Sequence, residues 1–295
     1  MIRAMARAGG GLRTFNDAVA IVTGAGSGIG EALATALAVR GAFVLVTDRR
    51  GQEAGRVAGR INGSAGRAEP LTLDVRDPAA VEAAVAETFA RHGRLDYLFN
   101  NAGIGIGGEV KDLTLEDWRQ QVEVNILGVV HGVHAAYPRM VQQGFGHIVN
   151  TASMAGLMPG PLLAGYTMTK HAVVGLTRSL RAEGHLYGVR ASVLCPGVVR
   201  TPIITGGAFG GFSKRPTDER MESAARWLRA MPADVFATKV LRQVARNVGT
   251  IIVPTWWRAI AWVQRSAPRL GDWLAARAFR LAKPAFDEGT PRGPR

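Results

Sequence analysis

Short apolar runs alternate with helical patterns along most of this chain, and this alternation constrains the fold more than any other feature. Residues 18–23 are apolar and have the length of a strand, and residues 30–40 follow with a helical pattern. Further strands are predicted at 42–47, 71–75, 95–100, 147–153, 189–195 and 250–254, and further helices from Pro78, at 115–143 and at 164–183. Strands separated by helices in this way pair in parallel. The sequence therefore predicts an α/β fold, a doubly wound parallel sheet with helices on both faces.

The domain organisation predicted from this pattern is one α/β domain with an extension at each end. Residues 1–15 form a basic N-terminal extension, 16–254 the α/β domain with a lid at 203–235, and 255–295 an amphipathic helical tail. The net charge of +13 is concentrated in the two extensions. A basic stripe interleaved with aromatic residues, typical of nucleic-acid binding, is not found. We therefore expect no nucleic-acid partner.

The cysteine and histidine content limits the metal and redox chemistry. The single cysteine, Cys195, excludes an internal disulfide and a cysteine-built metal site. His131, His134, His147 and His185 have no metal-ligand spacing with carboxylates, so we predict no metal. No apolar run reaches the roughly 18 residues that a membrane-spanning helix needs. These features favour a protein of the reducing cytoplasm.

A glycine-rich loop lies between the first predicted strand and the first predicted helix. It consists of TGAGSGIG at residues 23–30. Glycines here permit a tight turn and close approach of the backbone to a pyrophosphate, while the helix N-terminus supplies free N–H groups and partial positive charge. The loop residues predicted to bind a dinucleotide are Gly24, Ser27, Gly28, Ile29 and Gly30.

Asp48 ends the second predicted strand, near the ~20-residue offset at which an acidic residue binds the ribose of a dinucleotide. A carboxylate at this position repels the extra phosphate of NADP, and two like unit charges ~4 Å apart cost about 4 kcal/mol at an effective dielectric of about 20. Arg49 and Arg50 could offset part of this repulsion. We place Asp48 and Arg49 among the cofactor-binding residues and favour NAD over NADP.

Tyr166 and Lys170 are four residues apart on a predicted helix, so they share one face. A lysine cation beside a phenol stabilises the phenolate and lowers its pKa, which would allow Tyr166 to act as a general base toward an alcohol. Ser153, at the end of a predicted strand, could donate a hydrogen bond to the reacting oxygen. Ser153 and Tyr166 are therefore the predicted substrate contacts.

With these residues assigned, the sequence resembles the short-chain dehydrogenase/reductase family over residues 16–254. The matching segments occur in the family's order and are TGAGSGIG (23–30), Asp48, LDV (73–75), NNAG (100–103), Asn125, Ser153, YTMTK (166–170) and PGVVRT (196–201). The resemblance implies a Rossmann-like fold with Tyr166 as catalytic acid/base and Ser153 orienting the substrate oxygen. It implies that Lys170 lowers the pKa of Tyr166 and holds the nicotinamide ribose, and that Asn125 anchors a water linked to Lys170.

The same resemblance implies further contacts with the cofactor. Asp74 and Val75 would contact the adenine. Asn101, Ala102 and Gly103 would form a turn beside the cofactor. Val199 and Thr201 would contact the nicotinamide amide.

The residues after Pro202 are expected to lie beside the nicotinamide. Glycines at 206, 207, 210 and 211 around Phe209 and Phe212 predict a mobile apolar lid. Further apolar lining would come from Leu157, Met158, Leu162 and Leu163. We therefore favour a hydrophobic secondary alcohol or ketone as substrate, while Lys214 and Arg215 leave an acidic substrate open.

The tail contains four of the six tryptophans, at 256, 257, 262 and 273. Its predicted helix carries Leu270, Leu274, Ala278 and Leu281 on one face, with charged residues opposite. Such a helix can pack over the substrate pocket, at the interface of a homodimer or homotetramer, or at a membrane surface. We favour packing and keep peripheral membrane contact as the alternative.

Two other functions are open on the sequence alone. An NADP-dependent carbonyl reductase would follow if Arg49 outweighed Asp48. A dinucleotide-binding regulator without catalysis is the second alternative, but such a protein would have no physical need for the set of Ser153, Tyr166 and Lys170.

Overall fold

The structure is a computed structural model of the chain, and it describes residues 11–201, 210–215, 217, 219, 229–287 and 290–291. Its strands are β1 (Val19–Thr23), β2 (Phe43–Asp48), β3 (Arg67–Thr72), β4 (Tyr97–Asn100), β5 (Gly105–Gly107), β6 (Gly146–Thr151), β7 (Val189–Pro196), β8 (Gly210–Phe212), β9 (Lys214–Arg215), β10 (Thr250–Val253) and β11 (Thr290–Pro291).

The α-helices alternate with these strands, as the sequence predicts. They are α1 (Gly28–Ala38), α2 (Gly51–Gly63), α3 (Pro78–His92), α4 (Leu115–Val122), α5 (Gly128–Gln143), α6 (Ala164–Gly184), α7 (Ala233–Ala245), α8 (Trp257–Ser266) and α9 (Pro268–Asp287).

Seven strands form one parallel sheet in the order β3-β2-β1-β4-β6-β7-β10. The chain builds outward from β1 through β2 and β3, then returns to the other side of β1 with β4. The strand order reverses between β1 and β4, and the loops at their carboxyl ends therefore diverge and open a crevice. The predicted doubly wound α/β fold is confirmed.

Helices cover both faces of the sheet, so its central strands are buried on both sides. One face packs against α1, α2 and α7, through Leu33, Leu37, Val57, Phe236 and Leu241. The other packs against α3, α5 and α6, through Val81, Val85, Ala136, Met140 and Leu180. The predicted start of α3 is also confirmed, because the Asp77 carboxylate accepts hydrogen bonds from the backbone N–H groups of Ala79 and Ala80.

The third strand lies earlier than the apolar run that predicts it. We expected residues 71–75, but β3 spans Arg67–Thr72 at the edge of the sheet. Only Ala68 of this strand is buried, and Pro70 is tolerated because an edge strand has one unpaired side. The apolar residues Leu73 and Val75 are buried beyond the strand, where the chain turns toward α3.

The predicted helix at 115–143 is interrupted by a π turn. Residues Glu123–Leu127 form this turn, with α4 before it and α5 after it. A π turn carries one residue more than an α-helical turn, and such turns are frequent at functional sites. Asn125, in the middle of the turn, is fully buried.

Residues ahead of β1 attach to the amino edge of the sheet, opposite the crevice. Asp96 is fully buried there and accepts hydrogen bonds from the backbone N–H groups of Arg13 and Val19. Tyr97 donates its hydroxyl hydrogen bond to the Arg13 carbonyl, and the Phe15 ring packs against the Tyr97 ring. Phe15 thus belongs to the core, one residue before the expected start of the domain.

The tail forms the two helices α8 and α9, which pack against each other. Its last strand, β11, pairs antiparallel with β9. Among the residues that the structure describes, no helix is both long and apolar enough to cross a bilayer.

Candidate active site

The glycine loop leaves β1 and enters α1 in a conformation that favours glycine. Gly24 and Gly28 have φ of +63° and +57°, in the left-handed region. A Cβ on Gly24 would lie 2.8 Å from the Ala102 Cα, one on Gly26 would lie 2.7 Å from the Asp48 carboxylate, and one on Gly30 would collide with the Gly24 carbonyl. The loop therefore presents bare backbone at the start of α1, with Ser27 as the N-cap residue.

Asp48 lies at the carboxyl end of β2 and is almost completely buried. Its carboxylate accepts hydrogen bonds from the Gly26 N–H at 3.1 Å and the Arg50 N–H at 2.9 Å. The Arg50 guanidinium forms an ion pair with the same oxygen at 3.4 Å, whereas Arg49 is exposed. The predicted ribose-binding carboxylate is thus fixed against the glycine loop.

The turn after β4 connects the glycine loop to the other side of the crevice. The Thr23 hydroxyl accepts hydrogen bonds from the backbone N–H groups of Asn101 and Ala102, at 2.9 and 3.0 Å. A Cβ on Gly103 would lie 3.4 Å from the Lys170 Nζ. The predicted residues Asn101, Ala102 and Gly103 therefore stand between the loop and Lys170.

The side-chain amide of Asn125 is held by hydrogen bonds to two other residues, Ile104 and Thr169. Its Oδ1 accepts from the Ile104 N–H at 2.9 Å, and its Nδ2 donates to the Ile104 carbonyl at 2.9 Å and to Thr169 Oγ1 at 3.0 Å. These bonds hold the segment after Gly103 against α6. The amide of Asn125 thus positions the backbone beneath Lys170.

Ser153, Tyr166 and Lys170 come together at the carboxyl end of β6. The Ser153 side chain lies close enough to the Tyr166 phenol to affect its pKa, and the Ser153 Oγ accepts a hydrogen bond from the Ala155 N–H at 3.1 Å. The Lys170 Nζ lies 5.4 Å from the centre of the Tyr166 ring and donates to the Thr151 carbonyl at 2.9 Å. Tyr166 and Lys170 are four positions apart on α6, so their side chains lie on one face of the helix, as predicted.

Burial opposes the lowering of the Tyr166 pKa that the sequence predicts. Burial raises the pKa of the phenol above its usual value, and the neighbouring Ser153 side chain lowers it in part. Burial also lowers the pKa of Lys170 to about 8. Both shifts have the same cause, since each charged form loses hydration in this site. A phenolate here would depend on charged Lys170 for compensation.

The predicted adenine contacts follow β3. Asp74 is partly exposed in an open cleft that it lines together with Arg76, Glu123 and His131. The ion pair with Arg76, 2.6 Å between Nη2 and Oδ2, lowers the pKa of Asp74. Val75 is buried, and its carbonyl is 2.8 Å from the His131 Nδ1.

The predicted nicotinamide contacts follow β7. Val199 is buried and bridges to Met231. The Thr201 Oγ1 is buried and has no hydrogen-bond partner among the described residues. A buried hydroxyl costs about 1–3 kcal/mol when it is left unpaired. A polar group of a ligand could form the missing hydrogen bond with Thr201. Together with the bare backbone of the glycine loop and the buried Asp48 carboxylate, this hydroxyl fits a dinucleotide.

An apolar cluster contains Ala152 and Met154, the two neighbours of Ser153 in sequence. Trp257, the first residue of α8, packs on a cluster that contains Met154 and Cys195, where Leu157 and Met158 also pack. Its ring nitrogen lies against Gly197. Burial raises the pKa of the Cys195 thiol to about 12, so this cysteine is a packed apolar group, as predicted.

The lid can be described only in part. Strand β8 pairs with β5 in parallel, and the Phe212 ring lies beside Gly107. Phe209 and the glycines at 206 and 207 lie outside the described residues. Leu162, whose carbonyl accepts a hydrogen bond from the Gly108 N–H, has a φ of +64°, so the backbone just before Tyr166 is strained.

The tail reaches the same side of the molecule. The Lys283 ammonium forms an ion pair with the Glu109 carboxylate at 3.0 Å, across 174 residues of sequence. Together with the pairing of β11 and β9, this contact joins the tail to the loop after β5 and to strand β9 of the lid.

The structure adds supporting residues that sequence reasoning missed. Arg56 donates to the Gly26 carbonyl at 3.0 Å and forms ion pairs with Glu31 and Glu53, so it braces the glycine loop. Thr23 and Thr169 hold the two turns described above. Only Thr23 carried a signal, because it starts the glycine motif. Within the described ranges, no group of three His, Cys, Asp or Glu residues could hold a metal ion.

Comparisons with known proteins agree with this geometry. A family model described as short chain dehydrogenase matches residues 18–206. Cyclohexanol dehydrogenase of Acinetobacter sp. is 38% identical over 191 residues, which cover 64% of this chain and 76% of that protein. Levodione reductase of Leifsonia aquatica is 40% identical over 195 residues, which cover 64% and 72%. A short chain dehydrogenase/reductase from Burkholderia phymatum, solved in complex with NAD, is 29% identical with a TM-score of 0.77, covering 96% of this chain and 99% of that one.

Proposed function

This chain belongs to the short-chain dehydrogenase/reductase family, and we propose that it transfers a hydride between NAD(H) and a hydrophobic secondary alcohol or ketone. It is an oxidoreductase of that family. The observation that carries the proposal is the meeting of Ser153, Tyr166 and Lys170 at the carboxyl edge of the sheet, beside a glycine loop that fits a dinucleotide.

In the proposed mechanism, Tyr166 and Ser153 act on the substrate oxygen. A bound nicotinamide would supply the hydride chemistry, and during oxidation the residues of this chain move the proton. The Tyr166 Oη removes the hydroxyl proton, while the Ser153 Oγ donates a hydrogen bond to the same oxygen. During reduction, Tyr166 returns the proton to the ketone oxygen.

Lys170 has two proposed roles, one toward Tyr166 and one toward the cofactor. Its ammonium stabilises the phenolate and thereby opposes the effect of burial on the Tyr166 pKa. It also holds the nicotinamide ribose. Asn125 is proposed as a positioning residue for this group, because its amide fixes the backbone between Gly103 and Ile104.

NAD is the cofactor that the proposal assigns, and the buried Asp48 carboxylate supports it over NADP. The glycine loop, from Gly24 to Gly30, would hold the pyrophosphate at the N-terminus of α1. Asp74 and Val75 would contact the adenine, and Val199 and Thr201 the nicotinamide amide. A solved relative that holds NAD adds support.

The proposed substrate is apolar because of the side chains near Ser153. Leu157, Met158 and Trp257 contribute apolar surface there. The names of two relatives, a cyclohexanol dehydrogenase and a levodione reductase, also support an alcohol or a carbonyl substrate.

The direct test is a panel of hydrophobic secondary alcohols, including cyclohexanol, assayed with NAD by the absorbance of NADH. The matched control is Tyr166→Phe, which keeps the ring and removes only the hydroxyl. NADH formation by the wild type and not by the variant supports the proposal. No turnover of any alcohol or ketone, combined with tight NADH binding, would favour a non-catalytic regulator.

Assembly and location complete the proposal. Exposed apolar side chains on α4, the π turn and α6, namely Leu115, Leu127 and Met168, support a homodimer or homotetramer. The single cysteine, Cys195, which is buried and reduced, supports a cytoplasmic location. Light scattering coupled to gel filtration would test the first, and fractionation of cells the second.

A further inference from the structure

Helix α9 has two apolar stripes, and only one of them faces the protein. The inner stripe consists of Gly271, Ala275, Phe279 and Ala282, which are buried or half-buried. The outer stripe consists of Leu270, Leu274, Ala278 and Leu281, and its three leucines are between 45% and 76% exposed. Because successive residues turn by about 100°, these leucines lie within about 40° of one another on the helix.

The outer stripe is not covered by the rest of this chain. We expected the tail to pack against the lid or a neighbouring subunit; the packing of α9 on this chain uses the inner stripe and leaves the leucines exposed. Trp273 and Trp262 are exposed as well. An apolar strip of this kind on a surface helix marks a contact with something else.

The charges beside the outer stripe indicate what that contact is. Arg269, Arg277 and Arg280 follow one flank of the stripe, and none of them forms an ion pair with a residue that the structure describes. Arg277 instead lies 5.7 Å over the Trp273 ring. The nearby acid, Asp272, is hydrogen bonded to Gln264. The stripe is therefore bordered by tryptophan and by uncompensated positive charge.

We propose that the outer stripe of α9 binds the surface of an anionic phospholipid bilayer. Leucines would enter the boundary between headgroups and acyl chains, Trp273 would lie at headgroup level, and the arginines would contact lipid phosphates. A second copy of the chain fits less well. In an antiparallel two-fold contact through this stripe, the arginines of both copies lie on the same side of the interface and repel one another.

This inference does not depend on the proposed hydride transfer, because none of its residues belongs to the candidate active site. The test is sedimentation of the full chain with phosphatidylcholine vesicles, with and without phosphatidylglycerol. We expect binding only to the vesicles that contain phosphatidylglycerol, weakened by added salt because screening reduces the attraction of the arginines.

The variant that tests the stripe is the double substitution Leu274→Glu with Leu281→Glu. It should reduce the vesicle partition coefficient at least about tenfold, because both carboxylates would face lipid. Leu186→Glu, at a leucine outside the tail that is more exposed than either, is the matched control and should bind like the wild type. Circular dichroism and the melting temperature verify that each variant is folded.

Three outcomes would overturn the proposal. The first is no binding of the wild type to anionic vesicles. The second is equal binding by the double variant, which would indicate attraction by charge alone. The third is loss of oligomeric mass in the double variant without vesicle binding by the wild type, which would assign the stripe to contact between copies of this chain.

Discussion

The Lys170 ammonium lies over the face of the Tyr166 ring, 5.4 Å from the ring centre. The pair is held by one helix, because the two residues are a single turn apart on α6, and by the bond from Lys170 to the Thr151 carbonyl. Lys170 is buried, so its ammonium group has little freedom to move away from the ring. Helix α6 and the end of strand β6 together thus set the distance between the Lys170 ammonium and the Tyr166 ring.

Replacing Tyr166 with Phe should reduce turnover to below about a hundredth of the wild-type rate, because only the transferable proton is removed. NADH binding should remain almost unchanged, since Lys170 and the glycine loop stay in place. Turnover is followed by NADH absorbance and binding by titration calorimetry. Tyr187→Phe, at an exposed tyrosine, is the control and should keep full activity. Activity above that hundredth would contradict the role of Tyr166 as acid/base.

Replacing Asp48 with Ser should raise the ratio of kcat/KM for NADP to that for NAD by at least about tenfold, which corresponds to about 1.4 kcal/mol. The serine hydroxyl can still accept the hydrogen bond from Gly26, whereas the repulsive charge is gone. Steady-state kinetics with both cofactors measures the ratio, with Asp234→Ser at an exposed helix start as the control. A wild type that already prefers NADP would show that the neighbouring arginines dominate.

Replacing Trp257 with Ala should destabilise the protein by about 2 kcal/mol, because a half-buried indole leaves the cluster around Met154. For a chain of this size the melting temperature should fall by roughly 4–8 °C. The KM for apolar substrates should rise, since the cluster on which Leu157 and Met158 also pack loses apolar surface, while NAD binding should change little. Trp262→Ala removes an exposed indole of the same tail. Equal melting temperatures for the two variants would argue against a packing role for Trp257.

His147 should make stability depend on pH in mildly acidic solution. It is fully buried, and its Nε2 donates to the Ser192 hydroxyl, which itself donates to the Val248 carbonyl. Burial lowers the pKa of His147 to about 3. The unfolded chain, with a pKa of about 6.5, binds one proton more between these values, so folding weakens as pH falls through that window.

His147→Leu removes this titration, and the Ser192 donor keeps its Val248 partner. Between pH 7 and pH 5 the wild type should lose about 2 kcal/mol more unfolding free energy than the variant. Urea unfolding at both pH values measures this difference. The exposed His171, replaced with Leu, should leave the pH dependence unchanged. A wild type and His147→Leu variant with parallel pH profiles would contradict the assignment.

Much of the fold could be predicted because buried parallel strands are continuous apolar runs. This holds for β1, β2, β4, β6 and β7, whose side chains meet helices on both faces. Edge strand β3 was misplaced, since a polar strand with one free side has no such run. The short β5 and β8 are rich in glycine and had no side-chain pattern to detect.

The candidate site was predictable where a motif carries chemistry locally. The glycine loop and the pair of Tyr166 and Lys170 are of this kind, because their spacing alone places them. The ion pair of Lys283 with Glu109 spans 174 residues, and a single sequence carries no signal for it. The sequence singled out the leucine stripe of α9, whereas the structure shows that the stripe of smaller residues packs on this chain.

The π turn at Glu123–Leu127 sets a rule for insertions and deletions in this part of the chain. Loss of a single residue there would convert the turn to a regular α-helical turn, because the π turn accommodates one residue more, and α4 and α5 would stay in register with each other. Ala136 and Met140 would then remain packed on the sheet, whereas the local geometry that places the Asn125 amide on Ile104 would be lost. A deletion of one residue at this turn is therefore compatible with the fold but not with the position of Asn125.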